Sequence, residues 1–286
     1  MRILVTGARG FIGSHLVHAL TGRHEIYATA REPGAPAEGV TWIRHDLRAP
    51  LESAALPNSL DAVVHLAQSR RYREFPDGAA DVFSLNVRAT FELLEYARRA
   101  GASRFVFTST GGVYGHGDES FVEEDNVDPI NFYLASKYAA ETVIAPYVAE
   151  LQVVVLRLFF VYGPGQGQML IPSLARRVLA GETVTIEGNP GIRINPIYVD
   201  DAVRTLERAL EYESSLLCNV AGDETLTLID LVSMLGEIAG REPRVVHTPA
   251  ARAGDIVGDT TRMRRELGVT PSVSLRDGLA RLVATL

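Results

Sequence analysis

Short apolar segments alternate with amphipathic segments along the first half of this 286-residue chain, and the alternation limits the folds open to it. The segments 11–20 and 81–101 repeat apolar residues at helical spacing. Continuous apolar strands that alternate with helices require a parallel sheet covered on both faces. The sequence therefore predicts a doubly wound α/β fold of the Rossmann type. The apolar segments, rich in β-branched residues, are 2–6, 25–30, 40–44, 61–67, 104–109 and 152–158.

Three glycines, Gly7, Gly10 and Gly13, follow the first strand in "TGARGFIG" and lead into the first helix. A chain that turns sharply and approaches a pyrophosphate closely needs glycine there, because any other residue adds a Cβ. The N–H groups and positive dipole end of the next helix favour phosphates. The turn therefore predicts a dinucleotide site rather than a plain tight turn.

The second strand ends in "EIYATAR", where proteins that bind NAD commonly carry an acidic residue for the ribose hydroxyls. Ala30 and Arg31 stand there instead. Because a guanidinium suits a 2′-phosphate, Arg31 favours NADP over NAD. A solvated loop arginine is the alternative interpretation.

The segment "NFYLASKYAAE" places Tyr133 and Lys137 four residues apart on a predicted helix, so both side chains leave the same face. An ammonium beside a phenol lowers its pKa and makes proton exchange with an alcohol feasible near neutral pH. The pair is therefore a candidate acid/base pair. A surface tyrosine beside a solvated lysine is the bland alternative.

The segment "FTSTGGVYG" lies at the end of the strand 104–109. Ligands of open parallel sheets bind beyond the carboxyl ends of strands. We therefore expect the hydroxyls of Thr108, Ser109 and Thr110 to face a substrate, although a hydroxyl-rich turn explains them equally well.

Composition excludes several classes of function. The net charge of −7 gives no indication of nucleic-acid binding, and the single Cys218 excludes a disulfide framework and a multi-cysteine metal site. The N-terminus lacks a signal-peptide pattern, and no apolar run approaches the roughly 20 residues that cross a bilayer. We expect a soluble cytoplasmic protein that binds neither nucleic acid nor membrane.

After about residue 163 the alternation gives way to turn-rich segments and to helical patterns at 199–212, 227–239 and 275–285. No linker marks an independent unit. We therefore expect a dinucleotide-binding domain over 1–163 and a smaller, mainly substrate-binding lobe over 164–286. Segments at about 195–220 are expected to return to the sheet.

The motifs "TGARGFIG", "HLA", "TSTGGVYG" and "YLASK", followed by "LRLFFVYGPGQ" and "IYVDDAV", occur together in the extended short-chain dehydrogenases/reductases. More narrowly, the chain resembles the NAD-dependent epimerase/dehydratase family, which acts on nucleotide sugars. The resemblance extends nearly to the C-terminus, where "RAGDIVGDTTRMRRELGVTPSVSLRDGL" also fits. The G-x-x-G-x-x-G spacing is typical of that family.

By this resemblance, Tyr133 is the catalytic acid/base, Lys137 lowers its pKa and holds the nicotinamide ribose, and Thr110 hydrogen-bonds the reacting hydroxyl of the substrate. The positions expected to bind the cofactor are, taken together, Gly7, Gly10, Phe11, Ile12, Gly13, Arg31, Asp46, Leu47, Leu66, Ala67, Asn86, Tyr133, Lys137 and Phe159.

The same resemblance assigns Arg193, Arg252 and Asp255 to the grip on a nucleotide diphosphate, since guanidinium groups bind phosphates through paired hydrogen bonds. Arg193 lies one residue earlier than the usual arginine of the family. At Phe160 the family commonly has an asparagine that contacts the substrate phosphates, so its replacement counts against the standard nucleotide-diphosphate substrate.

Dehydratases of this family carry an acidic pair after the catalytic threonine. Gly111 and Gly112 follow Thr110 here, so we do not expect dehydration. The sequence predicts an NAD(P)-dependent epimerase or oxidoreductase that transfers hydride at a hydroxyl or keto carbon of a nucleotide sugar. One alternative is an NADPH-dependent ketoreductase of a keto sugar or a non-sugar carbonyl. Another is a catalytically silent NADP-sensing protein.

Further features add expectations of lower weight. The apolar helices at 81–100 and 131–150 suggest a homodimer. His15 and His18 form a possible metal pair, but with no third ligand evident we expect no metal site. The basic cluster "SRRYR" at 69–73 is either a phosphate contact or a solvated loop, and the acidic segment 118–125 is expected at the surface.

Overall fold

A computed structural model describes residues 1–250 and 254–286, apart from the side chain of Ser53. One sheet of seven parallel strands has the order β3-β2-β1-β4-β5-β6-β9, which confirms the predicted doubly wound fold. The direction of strand order reverses between β1 and β4, and open sheets bind ligands at such a reversal. The strands are β1 (Arg2–Thr6), β2 (Glu25–Ala30), β3 (Val40–Arg44), β4 (Ala62–His65), β5 (Arg104–Thr110), β6 (Gln152–Leu158), β7 (Thr183–Glu187), β8 (Arg193–Ile194), β9 (Leu216–Val220), β10 (Leu226–Thr227) and β11 (Arg244–Thr248).

Several helices begin and end within two residues of the helical patterns in the sequence. One does not: the segment expected as a single helix at 81–101 contains a π-helical turn at Ser84–Arg88, which separates α2 from α3. Such widened turns are common at functional sites. The helices are α1 (Phe11–Leu20), α2 (Ala79–Phe83), α3 (Ala89–Arg99), α4 (Phe132–Ile144), α5 (Leu170–Ala180), α6 (Val199–Glu211), α7 (Leu228–Ala239), α8 (Thr261–Leu267) and α9 (Leu275–Val283).

The chain divides into two interleaved units. Unit 1 comprises Met1–Val113, Pro129–Arg157 and Val203–Cys218. Unit 2 comprises Tyr114–Asp128, Leu158–Ala202 and Asn219–Leu286. The segment 114–128, acidic at 118–125, thus lies in unit 2 although the chain returns to unit 1 at Pro129.

The core of unit 1 explains why its strands read as continuous apolar runs. All four side chains of β4 are buried, because helices cover both faces of a parallel sheet. Burying one leucine, valine or phenylalanine side chain contributes roughly 1.5–3 kcal/mol. The largest residues of this core cluster include Leu4, Leu60, Leu93, Leu94, Phe105 and Phe107.

Unit 2 is built around α5, α7 and α9, which pack on one another, with two small two-stranded sheets beside them. Strand β7 pairs with β11 in parallel, and β8 pairs with β10 in antiparallel. The buried Asp201 carboxylate accepts hydrogen bonds from Ser272 and from the Val273 N–H, which fixes the segment before α9.

Within 1–250 and 254–286, no helix is both long enough and apolar enough to span a membrane. The same residues hold no group of three or more His, Cys, Asp or Glu side chains placed to bind a metal ion. His15 instead packs edge-on against the Phe11 ring, with ring centroids 5.5 Å apart.

Candidate active site

The turn between β1 and α1 has no room for a Cβ at any of its three glycines, Gly7, Gly10 and Gly13. Gly7 has φ +65°, and the Gly10 N–H donates to the Gly7 carbonyl oxygen at 2.7 Å. A Cβ at Gly13 would lie 2.2 Å from the same oxygen, and a Cβ at Gly7 would lie 2.8 Å from the Ala67 nitrogen. Because Gly10, the residue before α1, offers no side chain to cap the helix, the first N–H groups of α1 remain available to an anion. Phe11 and Ile12, half-buried, form the first turn of α1.

Charged residues gather just beyond the ends of β2 and β3. Arg31 is exposed, and Asp46 accepts hydrogen bonds from the Arg48 guanidinium, with Nε at 3.0 Å. These bonds lower the pKa of Asp46, and Arg31 lowers it further. Leu47, also a predicted cofactor residue, is buried.

Arg9, inside the glycine turn, reaches the same edge of the sheet and was missed by sequence reasoning. Its Nη1 donates to the Glu32 carbonyl oxygen at 3.2 Å and lies 3.6 Å from the Glu32 carboxylate. The signal was present in "TGARG", where an arginine stands between two glycines of the turn. Arg9 and Arg31 thus supply two guanidinium groups near the end of β2.

The end of β4 is tied to β1 by a buried histidine. His65 Nδ1 lies 2.7 Å from Thr6 Oγ1, and Nε2 lies 3.1 Å from Thr90 Oγ1. Burial lowers the pKa of His65 to about 3, so the ring is neutral and has one donor and one acceptor nitrogen. The half-buried Leu66 and Ala67 follow directly, and the Ala67 N–H donates to Thr6 Oγ1 at 3.3 Å.

Asn86 lies in the π-helical turn and is fully buried. Its Oδ1 accepts from the Ser69 N–H at 3.1 Å, and its Nδ2 donates to Ser136 Oγ at 2.9 Å. Both ends of the amide, on a residue expected to line the cofactor, therefore have partners inside the protein.

Tyr133 and Lys137 leave the same face of α4, a helix capped by the Asn131 side chain. The half-buried Tyr133 donates its hydroxyl hydrogen to Gln68 Oε1 at 3.0 Å. Lys137 is 2% exposed; its Nζ donates to the Thr108 carbonyl oxygen and lies 4.2 Å from the centroid of the Phe107 ring.

The ionisations of this pair shift in opposite directions. Burial raises the pKa of Tyr133. Burial lowers the pKa of Lys137 to about 7, and Glu141, one turn further along α4, opposes that decrease. Lys137 is therefore close to the balance between ammonium and amine at neutral pH.

Glu141 belongs to a buried polar cluster that sequence reasoning missed. It accepts from Arg157 Nη2 at 2.6 Å and from Ser109 Oγ. Glu141 and Arg157 side chains are only 8% and 4% exposed, so each charge compensates the other in a dry environment. The signal in the sequence was a glutamate four residues after Lys137.

The three hydroxyls at the end of β5 have different surroundings. Thr108 donates to the His65 carbonyl oxygen at 3.2 Å and Ser109 to Glu141, so these two, expected to face a substrate, bind protein groups instead. Thr110 is half-buried, and its Oγ1 accepts from the Gly112 N–H at 3.2 Å. A Cβ at Gly112 would lie 2.9 Å from Leu134 Cδ2, so a larger residue there would displace the end of the leucine side chain.

In unit 2, Phe159 is buried beside Tyr114, with ring centroids 6.2 Å apart, and a Cβ at Gly258 would lie 2.7 Å from its ring. The next residue, Phe160, has φ +44°. Among the described residues it is the single non-glycine residue with a positive φ. This left-handed conformation is strained for a bulky side chain.

Arg193 and Asp255, predicted to grip phosphate, lie together in unit 2. Asp255 accepts from the Arg193 N–H and from its Nε, both at 2.6 Å. Arg193 Nη2 also donates to the Asp118 carbonyl oxygen at 3.1 Å, yet the side chain remains 50% exposed. Asp255 thereby orients the guanidinium. Arg252, the third predicted residue of the group, lies outside the described residues.

The comparisons with known proteins cover the whole chain. The model of the NAD dependent epimerase/dehydratase family matches residues 3–221. A dTDP-glucose 4,6-dehydratase of Streptomyces griseus is 34% identical over 99% of this chain and 93% of its own length. MoeE5, solved in complex with UDP-glucose and NAD, is 33% identical with a TM-score of 0.86, and covers 100% of this chain and 98% of its own.

A second solved structure, UDP-glucuronic acid 4-epimerase from Bacillus cereus in complex with UDP-glucuronic acid and NAD, has a TM-score of 0.87 and 27% identity. The alignment covers 100% of this chain and 98% of that one. The chain is thus similar throughout to proteins solved with NAD and a UDP-sugar.

Proposed function

The chain belongs to the NAD-dependent epimerase/dehydratase family, and from this premise we propose that it epimerises or reduces a nucleotide sugar by hydride transfer, with Tyr133 as acid/base. The observation that carries the proposal is that, within unit 1, one loop joins the glycine turn to α4: the Ala67 backbone lies against Gly7, and the next residue, Gln68, bonds Tyr133. Fold alone would not support an activity, because one fold serves many functions.

The residues of unit 1 fit a dinucleotide. A Cβ at Gly7, Gly10 or Gly13 would lie within 2.9 Å of backbone atoms, so the tight turn requires glycine there, and the N–H groups that begin α1 suit a pyrophosphate. Tyr133 and Lys137 would hold the nicotinamide ribose. When bound, the nicotinamide would take up hydride from the reacting carbon and return it.

Tyr133 would move the hydroxyl proton. For oxidation of a sugar alcohol, the phenolate accepts the proton of the hydroxyl; for reduction of a ketone, the phenol donates it back. Because burial raises the pKa of Tyr133, the phenolate needs a nearby positive charge, and Lys137 is the cation one turn away. Thr110 would orient the reacting hydroxyl.

We place dehydration behind epimerisation and reduction, although the relative from Streptomyces griseus is a dehydratase. Elimination of water needs an acid and a base close to the sugar carbon that loses the hydroxyl. Gly111 and Gly112 offer neither, and Leu134 leaves no room for a side chain at 112 without moving. Dehydration is therefore the third arm of the activity assay.

Arg31 and Arg9 support NADP, since two exposed guanidinium groups near the end of β2 suit a 2′-phosphate. The solved relatives were determined with NAD, so NAD is the competing choice. Dissociation constants for the two cofactors decide between them, and weaker or equal binding of NADP contradicts this part of the proposal.

The test of the activity is turnover of UDP- and dTDP-hexoses, with the products separated as epimer, reduced sugar or dehydrated sugar. Tyr133→Phe should abolish turnover and leave the cofactor dissociation constant within about threefold. Tyr138→Phe, an exposed tyrosine on the same helix, is the matched control and should keep full activity. An active Tyr133→Phe enzyme would refute the acid/base assignment.

The cofactor found in freshly purified protein separates the two preferred reactions. Epimerisation regenerates the cofactor in place and favours tight retention, whereas net reduction requires exchange. A catalytically silent NADP-sensing protein is the remaining candidate. It predicts cofactor binding without exchange of labelled hydride between cofactor and any sugar.

A further inference from the structure

The loop that follows β4 supplies the side chain that hydrogen-bonds the Tyr133 hydroxyl. The acceptor is Gln68 Oε1, at 3.0 Å from Tyr133 Oη. Gln68 comes directly after Ala67, whose backbone leaves no space for a Cβ at Gly7. One residue therefore spans the two parts of the candidate site, the glycine turn and the tyrosine.

A buried amide fixes the spacing between this loop and α4. Asn86 accepts from the N–H of Ser69, the residue after Gln68, and donates to Ser136 Oγ on α4. Ser136 Oγ in turn donates to the Tyr133 carbonyl oxygen at 2.6 Å. Asn86 and Ser69 are completely buried, so water does not compete for these bonds.

The Tyr133 ring is held from the side as well. The Tyr72 ring packs against it with centroids 5.1 Å apart and planes tilted by 46°, and the Arg73 guanidinium lies 5.2 Å from the Tyr72 centroid. The ionisable side chain that packs against Tyr133 is thus Tyr72, which Arg73 contacts in turn, and Lys137 lies one turn further along α4. Burial and Tyr72 raise the pKa of Tyr133, whereas a hydrogen bond between the Gln68 amide and the phenolate lowers it.

A carboxamide is suited to both protonation states of a tyrosine. Its oxygen accepts a hydrogen bond from the phenol, and its nitrogen, after rotation about the Cγ–Cδ bond, donates one to the phenolate. A carboxylate accepts from the phenol but repels the phenolate. A thioether bonds neither strongly.

We propose that Gln68 is a further catalytic residue, which holds the Tyr133 oxygen by a hydrogen bond both before and after proton transfer. When the phenolate takes the proton of the sugar hydroxyl, the sugar O–H bond breaks and the Tyr133 Oη–H bond forms. Gln68 exchanges its donor nitrogen for its acceptor oxygen and gains no proton. The inference rests on the proposed function, because it requires Tyr133 to be the acid/base.

The experiment compares Gln68→Glu and Gln68→Met with the wild-type protein, and uses Gln168→Glu, an exposed glutamine of unit 2, as the control. Ionisation of Tyr133 is read as tyrosinate absorbance during an alkaline titration, after subtraction of the same titration of Tyr133→Phe. Gln68→Glu should raise the midpoint by at least about one pH unit and lower kcat at pH 7 by about 10- to 100-fold, the usual cost of a hydrogen bond to a charged group.

Gln68→Met should raise the midpoint less and lower kcat about tenfold, with the KM of the cofactor unchanged within about twofold. This second variant adds no charge, so a shift common to both variants reports the lost donor rather than repulsion. The control should titrate like the wild-type protein.

Unshifted titrations in both variants would overturn the proposal, even if their melting temperatures fell, because a purely structural role predicts lower stability without a change in Tyr133 ionisation. The absorbance titration needs no turnover. A wild-type protein that converts no nucleotide sugar would therefore count against the proposed function alone, and the titration would still decide the role of Gln68.

Discussion

The glycine turn at 7–13 and the face of α4 from Tyr133 to Glu141 serve one candidate site by opposite physical means. The turn works because atoms are missing: a Cβ at Gly13 would lie 2.2 Å from the Gly7 carbonyl oxygen. The helix face works because charged side chains are present and dry, with Lys137 at 2% exposure. Function of the glycine turn should therefore depend on side-chain volume and not on pH. Function of the α4 face should depend on side-chain charge and on pH.

The use of basic residues sharpens this contrast. Lysine and arginine together number 28, and Lys137 is the single lysine of the sequence. A guanidinium stays charged in proteins, whereas the pKa of an ammonium falls readily on burial. All the other basic residues among these 28 are arginines. The one lysine, Lys137, lies where burial lowers its pKa to about 7.

The largest effect is expected from adding one methyl group to the turn. In Gly13→Ala the new Cβ meets backbone atoms that no rotamer change can move, so the turn must open and the N–H groups of α1 must shift. We expect the dissociation constant of the dinucleotide to rise at least ~100-fold, as misplacement of a binding group by about 1 Å typically costs. Calorimetric titration at pH 6 and at pH 8 measures it.

Gly167→Ala is the control for that variant, because a Cβ at this exposed glycine meets nothing within 4 Å. Its affinity should equal that of the wild-type protein. If Gly13→Ala kept its affinity for the dinucleotide, or lost it at only one of the two pH values, the contrast between the glycine turn and the α4 face would be wrong.

The second effect concerns the charge at 137. Lys137 holds its proton below its pKa of about 7 and loses it as the pH rises through that value. We therefore expect turnover of the wild-type protein to decline above pH 7. Lys137→Met should lower kcat/KM at pH 7 by about 10- to 1000-fold, since a neighbouring cation typically lowers the pKa of a group by one to three units.

The pH profile is the decisive measurement for Lys137→Met, because the variant has no ammonium to lose. Its activity should rise through pH 8 and 9 as Tyr133 ionises, opposite to the wild-type slope. Since the chain holds one lysine, incorporation of ε-¹³C-lysine gives one side-chain resonance whose titration reports the Lys137 pKa directly. A midpoint near 10 would contradict the burial argument.

The fold and the backbone part of the site follow from local sequence. Apolar periodicity predicts the strands and helices of unit 1, and the spacing of Gly7, Gly10 and Gly13 predicts the turn, because these depend on residues close together in the chain. The π-helical turn at Ser84–Arg88 was not predicted. Its sequence, "SLNVR", carries no local signal for a widened turn, and Asn86 bridges residues far from it in sequence.

For the side chains of the site, the sequence predicts which residue types take part but not how deeply they are buried or what they bond. The spacing of Tyr133 and Lys137 predicts their common face, but their depth depends on packing against β5. Likewise, Glu141 on α4 bonds Ser109 on β5 and Arg157 on β6. Gln68 bonds Tyr133 across 65 positions. Hydrogen bonds between residues so far apart in the chain depend on the folded topology. Neither composition nor local spacing predicts them.

The smallest effect is expected at the exposed Arg31, just beyond the end of β2. This guanidinium lies in water, so its interaction with a phosphate is screened and worth only about as much as a surface ion pair. We expect Arg31→Ser to weaken NADP binding about two- to fivefold and to leave NAD binding unchanged. This loss converts to ~0.4–1 kcal/mol, within the range typical of surface ion pairs. Affinities measured at low and high salt check this, because an interaction between charges must weaken as salt is added, whereas binding to the glycine turn should respond less.

Arg44→Ser, which replaces an exposed arginine at the end of β3, controls for general loss of positive charge. Equal weakening of NAD and NADP by Arg31→Ser would remove the argument for a 2′-phosphate and leave the turn itself as the basis of affinity.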